Sequence, residues 1–148
     1  MYSILSVGEG HFDRLTQLWE ASVRVSHHFL NETDIAELRP LVRHQYLAAV
    51  QPWAAVDSRG HIPGFVGVAG QRVEMLFIDP ERRGCGLGRL LLEHAVHHLG
   101  ATELDVNEQN PQAVAFYRHL GFEEVGRSPL DGQGRPFPLL HMRLGSFK

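Results

Sequence analysis

The sequence predicts one α/β (α+β) layer fold, a mixed, mostly antiparallel sheet flanked by helices. Three observations predict it. Two stretches near the start carry apolar residues at helical spacing. From Pro52 onward, short apolar runs bounded by turn residues alternate with two further helical stretches. The runs also come in a telling order: two helices, three strands, helix, strand, helix, two strands. That order sets antiparallel hairpins at both ends of a central strand–helix–strand unit. At 148 residues the chain fits one compact domain, expected to span 1–148.

Each element has its own reason. In "HFDRLTQLWEASV", Phe12, Leu15, Leu18, Trp19 and Val23 share one helical face. "SHHFLNETD" then interrupts with polar and capping residues. Asp34 and Glu37 have capping-box spacing, so "DIAELRPLVRHQYLAAV" reads as a second helix that Pro40 must kink or restart. "WAAVD" and "PGFVGVAG" read as an antiparallel pair around the turn-like "SRGH". "RVEMLFIDP" is longer and less polar, as suits a strand buried on both faces. A glycine stretch and a helix come next, ending near Gly100. "TELDVN" is another strand. "PQAVAFYRHLGF" is a short helix with Asn110 to cap it, Pro111 in its first turn and Gly121 at its end. "FEEVGRSPL" and "FPLLHMRL" close the fold around "DGQGR".

Composition narrows the function. A formal charge of −3 supplies no basic field for nucleic acid. No apolar run approaches the roughly 18 residues of a membrane span. The start lacks a secretory signal pattern, and Cys85, the single cysteine, cannot form an internal disulfide, so a cytoplasmic location is expected. The histidines of "HAVHH" lack an accompanying Glu and a third acidic ligand, so a metal site is not expected.

The strongest signal is "RRGCGLGRLLLEHAV", residues 82–96. It succeeds a buried strand and opens a helix. Glycines let a ligand lie against the backbone, and a helix start offers unpaired N–H groups at the positive end of its dipole. Together these make an anion cradle suited to phosphate or pyrophosphate. Arg82, Arg83 and Arg89 can add charge-assisted bonds. A nucleotide P-loop needs other spacing and a Gly-Lys-Ser/Thr ending, and a dinucleotide fingerprint needs G-x-G-x-x-G; neither is present. A purely structural turn remains open on this segment alone.

A second segment, "NEQNPQAVAFYRHLGF", carries Asn-x-x-Ala-x-x-Phe-Tyr and then Leu-Gly-Phe. With "FIDPERRGCGLGRLLLEHA" it resembles the GNAT superfamily of acyl-CoA-dependent N-acetyltransferases. The family's Arg/Gln-x-x-Gly-x-Gly/Ala motif is matched by Arg83, Gly86 and Gly88. The resemblance implies that acetyl-CoA is the acetyl donor. Its pyrophosphate would lie along Arg83, Gly84, Cys85, Gly86, Leu87, Gly88 and Arg89. Its pantetheine arm would enter a gap between splayed central strands at Phe77 and Ile78, near Asn110. Tyr117 matches the family tyrosine near the sulfur, where a phenol donates a proton to the departing thiolate. As a base, Glu74 falls on the face of Leu76 and Ile78 by strand alternation, where an apolar setting raises a carboxylate's pKa. His27 and His28 lie between the first two helices, where the family builds its acceptor pocket. Each of these residues also has an ordinary structural reading: Tyr117 as a core aromatic, Asn110 as a helix cap, Glu74 and the histidines as polar wall. The expected reaction is acetyl transfer to a primary amine of a small molecule or peptide. The alternative is a binding module that holds acyl-CoA without turnover. A homodimer is compatible with free closing strands.

Overall fold

The computed structural model describes every residue from Met1 to Lys148. Its elements are β1 (Ser3–Ser6), α1 (Phe12–Ser26), α2 (Glu32–Leu41), a π-helical stretch (Val42–Tyr46), α3 (Leu47–Val50), β2 (Trp53–Val56), β3 (Gly64–Ala69), β4 (Arg72–Ile78), α4 (Leu87–Leu99), β5 (Glu103–Asn107), α5 (Pro111–His119), β6 (Phe122–Ser128) and β7 (Leu139–Leu144). The strands form one sheet in the order β1-β2-β3-β4-β5-β7-β6. Every pairing is antiparallel except β4 with β5. The mixed, mostly antiparallel sheet expected from the run order is therefore observed.

Helices cover both faces. Leu15, Leu18 and Trp19 of α1 pack with Phe65 and Met75 on one side. Leu91 and Leu92 of α4 pack with Leu104, Phe122 and Met142 on the other. Leu15, Leu91 and Leu92 are 0% exposed, and each such side chain contributes about 2 kcal/mol of burial.

Three expectations change. β1 is an addition to the expected order: only four residues long and largely exposed, it joins the sheet as an edge along β2. The capping box at the start of α2 lies three residues earlier than the Asp34–Glu37 spacing suggests. Asn31 accepts from the Asp34 N–H at 2.8 Å, and the Asp34 carboxylate accepts from the Asn31 N–H at 3.0 Å. Of the two readings of Pro40, kink or restart, the helix does not restart. The chain widens into the π turn Val42–Tyr46 and continues into α3, a way of absorbing the hydrogen bond that proline removes.

Two irregularities shape the middle of the sheet. β3 and β4 pair along their length, but Gly67 meets Met75 while Val68 meets Val73, so Glu74 is an extra residue in a bulge. Beyond that bulge β4 and β5 part: their only register partners are Arg72 with Glu103 and Val73 with Leu104. β3 holds β4 as far as Ile78, and β7 holds β5 as far as Asn107, so each strand stays with its outer neighbour. A bulge bends and further twists its strand, and this one sits where the two strands diverge.

Candidate active site

The parted strands open a cavity of about 490 Å³. Its floor is the half of β4 running from Val73 to Ile78, facing Asp105, Val106 and Asn107 of β5. Because β4 and β5 no longer pair there, backbone N–H and C=O groups of β4 on that side lack a strand partner. An extended amide-bearing ligand can satisfy them.

One end of the cavity is the turn into α4. Asp79 accepts from the Glu81 N–H at 3.0 Å and starts a single 3-10 turn, Pro80–Arg82. Gly84 and Gly86 then take φ of +82° and +80°, backbone that side chains rarely adopt, and Gly86 is the N-cap of α4. No protein atom lies within 4 Å of where a Cβ would stand at either glycine. Their surroundings are open, as a backbone cradle requires. Gly88 differs: a Cβ there would meet the Phe116 ring at 3.2 Å, so that glycine serves the packing of α4 on α5.

The three arginines divide. Arg83 lines the cavity without an ion-pair partner of its own. Arg82 pairs with Asp57 at 3.0 Å and holds that carboxyl down at about 2. Arg89 donates to the Lys148 carbonyl and lies over the Phe147 ring, although it also borders the cavity. Cys85 is exposed, bonds the Arg82 carbonyl through Sγ at 2.6 Å and does not line the cavity. Leu87 is buried beneath the turn and borders the cavity.

Asn110, Phe116 and Tyr117 approach from α5. Asn110 is buried and caps α5 by accepting from the Ala113 N–H at 3.3 Å, so its capping role is realised at the cavity wall. The Tyr117 ring packs edge-on to Phe116 and Phe122. The residue is half-buried, and desolvation of the phenol pushes the hydroxyl well above the usual tyrosine range. The residue thus packs as a core aromatic and also borders the cavity.

Glu74 projects into the cavity, but not by simple alternation. The bulge puts Val73 in the cluster with Leu76 and Ile78, while Met75 and Phe77 join the opposite one. Glu74 is the looped-out residue between them. Desolvation pushes its carboxyl above the ordinary range, Arg72 opposes this and the charge of Asp105 adds to it. Motif reasoning misses Arg72 and Asp105. A signal for them exists in "TELDVN", where Glu103 and Asp105 alternate with the buried Leu104 and Val106 and so share one polar face.

The two histidines separate. His28 is exposed and outside the cavity. His27 lines it, 6.5 Å between ring centroids from Phe77. The Ser26 hydroxyl donates its one proton to the Ser22 carbonyl at 2.9 Å, so His27 Nδ1, 2.7 Å from Ser26 Oγ, must be the donor in that contact. The Nε2 lone pair is then free. Burial first, and then the positive charge of Arg83, lowers the His27 pKa to about 4.

That depression has a measurable consequence. Unfolded His27 takes up a proton near the ordinary value of about 6.5, but folded His27 only near 4. Between these values the unfolded chain binds more protons. The His27 contribution to stability is therefore full above about pH 6.5 and declines as pH falls toward 4. Imidazole ¹⁵N NMR should find His27 as the neutral Nδ1–H tautomer at about pH 6, titrating near 4. A midpoint at the ordinary value would contradict its burial.

Residues 48–124 match the family model described as an acetyltransferase (GNAT) domain. The chain is 44% identical over 130 residues to the peptidyl-lysine N-acetyltransferase YjaB of Escherichia coli (strain K12), which covers 88% of both proteins. The solution structure of apo-form YjaB from Escherichia coli matches with a TM-score of 0.87 at 41% identity over 97% of each chain. The PaiA N-acetyltransferase of Thermoplasma acidophilum, solved in complex with coenzyme A, shares the fold at 18% identity, with a TM-score of 0.71 over 98% of this chain and 99% of that one. Likeness of this extent, in sequence and in fold, places the chain among the GNAT acetyltransferases.

Proposed function

We propose that this enzyme moves an acetyl group from acetyl-CoA to a primary amine of a small molecule or peptide, the ε-amine of a peptidyl lysine foremost, by direct transfer in the gap between β4 and β5. The observation that carries the reading is the convergence on one cavity of an open glycine turn at a helix start, an unpaired stretch of β4 and the Tyr117 phenol. The name of the YjaB relative supports the lysine acceptor.

The residues present fit the donor. Gly84 and Gly86 leave their backbone open, Arg83 supplies an uncommitted cation, and the first turn of α4 offers N–H groups at the positive end of its dipole. Gln112, Ala113 and Asn110 wall the other side. Bound there, acetyl-CoA supplies the activated thioester and departs as the thiol. The chain's own groups manage charge and protons. Backbone N–H groups near Phe77 and Ile78 polarise the carbonyl. Glu74 takes the proton that an ammonium acceptor must lose before it can attack. Tyr117 gives a proton to the sulfur as the C–S bond breaks. The burial that weakens the phenol as an acid also raises the proton affinity of a thiolate beside it, so the two remain matched.

An amine and lysine-peptide panel with free-thiol detection tests the reading. Thiol release that depends on the acceptor is expected, with thermal stabilisation by acetyl-CoA and not by ATP or NAD. Stabilisation by acetyl-CoA without thiol release on any acceptor would make the domain a binding module.

A further inference from the structure

Beside the cavity runs a row of polar groups to which the proposed reaction gives no role. Asp105 and His141 are direct register partners on β5 and β7. The His141 Nδ1 lies 2.6 Å from Asp105 Oδ1, and its Nε2 lies 2.6 Å from Ser128 Oγ at the end of β6. The ring has a prepared seat. β6 bulges at Val125, so that His141 faces Gly126, where a Cβ would press on the imidazole Cδ2 at 3.3 Å. The other oxygen of Asp105, Oδ2, receives Arg72 Nη1 at 2.5 Å. Arg72 also reaches Glu103 at 3.2 Å, but its Nε stays 3.9 Å from Glu74.

The geometry points to a clamp: Asp105, fixed by His141 and Ser128, holds the Arg72 guanidinium off Glu74 and so positions the acceptor-side base. Arg72, Asp105, His141 and Ser128 are positioning residues, and the inference rests on Glu74 being that base. The physical logic is competition for one cation. A guanidinium within about 4–6 Å that turned fully onto Glu74 would stabilise its anion and make it a poorer proton acceptor. Spent on Asp105 and Glu103, the same cation leaves Glu74 with the weaker contact of the three. His141 adds direction. With one Asp105 oxygen taken by the imidazole N–H, the other is presented to Arg72. The charges that act on Glu74 are Arg72 on its own strand and Asp105 on β5; Glu103 shares Arg72 with them, Arg143 and His141 are the β7 register partners of Glu103 and Asp105, and His27 and Tyr117 line the same cavity.

Carboxyl ¹³C NMR reads Glu74 directly, its signal assigned by loss in Glu74→Gln. Asp105→Asn removes the carboxylate charge and frees Arg72, and both changes should lower the Glu74 midpoint, by roughly one pH unit or more. His141→Ala should lower it less. His141→Gln, whose amide can still donate to Asp105, should restore it. If Asp105→Asn fails to fold, as judged by circular dichroism, His141→Ala carries the same reading. A Glu74 midpoint that is unmoved or raised in the folded variants would overturn the clamp. Turnover of Glu74→Gln is scored separately: retained turnover would remove the base assignment and not the clamp, and lost turnover supports the base.

Discussion

Tyr117→Phe should lower turnover roughly ten- to a thousandfold while acetyl-CoA affinity stays close to that of the parent enzyme. The substitution removes one oxygen and keeps the ring against Phe116 and Phe122. Packing is spared, and no charge or hydrogen-bond partner is stranded, because burial alone perturbs this phenol. The loss should therefore fall on kcat, since the proton is needed only as the C–S bond breaks. Single-turnover kinetics separates this step from product release. Because the phenol's pKa lies above the usual range, the parent enzyme should show no alkaline loss of activity from Tyr117 below about pH 10. A wild-type single-turnover rate in the variant would leave Tyr117 a packing residue at the cavity wall.

The second large effect is on the glycine turn. Gly86→Val should weaken acetyl-CoA binding by roughly ten- to a hundredfold in isothermal titration, the worth of about 1–3 kcal/mol of backbone strain. An added Cβ there meets no protein atom within 4 Å, so backbone strain and not crowding at the Cβ is the expected cause. The cost arises because a β-branched residue resists a φ of +80°, and the turn must relax away from the shape that presents its N–H groups. Gly60→Val provides the control. Gly60 has a φ of +83° in the turn between β2 and β3, is equally uncrowded and lies outside the cavity. It should lose comparable stability and keep its affinity. Equal affinity loss in both variants, or none in Gly86→Val, would detach the turn from the ligand.

The range of the interactions decides how much of the molecule is legible in the sequence. The helical stretches, the strand runs after Pro52, the α4 turn and the Asn110 cap are legible because each depends on neighbours within a few residues. The four exposed residues of β1 carry almost no pattern, and only pairing with β2 makes them a strand. The Glu74 bulge is illegible for a related reason. Alternation along β4 is local, but the extra residue exists only relative to β3, and it changes which side chains share a face. His27 and His28 look alike in sequence. Only the end of α1, with Ser22 and Ser26 beneath one ring, directs the first inward and leaves the second in solvent. The Asp105–His141–Ser128 row joins three strands because β7 is inserted between β5 and β6, a topological fact that residue spacing does not disclose. Gly88 matches the motif but is explained by the Phe116 ring. A motif match identifies the turn correctly without stating what each of its glycines does.

The acetyl donor is proposed to lie in the gap between β4 and β5, with its phosphates on the turn into α4. A backbone amide NMR titration with acetyl-CoA tests this placement most directly. The largest shifts are expected at Met75 to Ile78 and at Arg83 to Arg89, with smaller ones at Asn110 and Tyr117, and silence along the distant edge strand β1. Saturable shifts that bypass both the unpaired half of β4 and the glycine turn would contradict it.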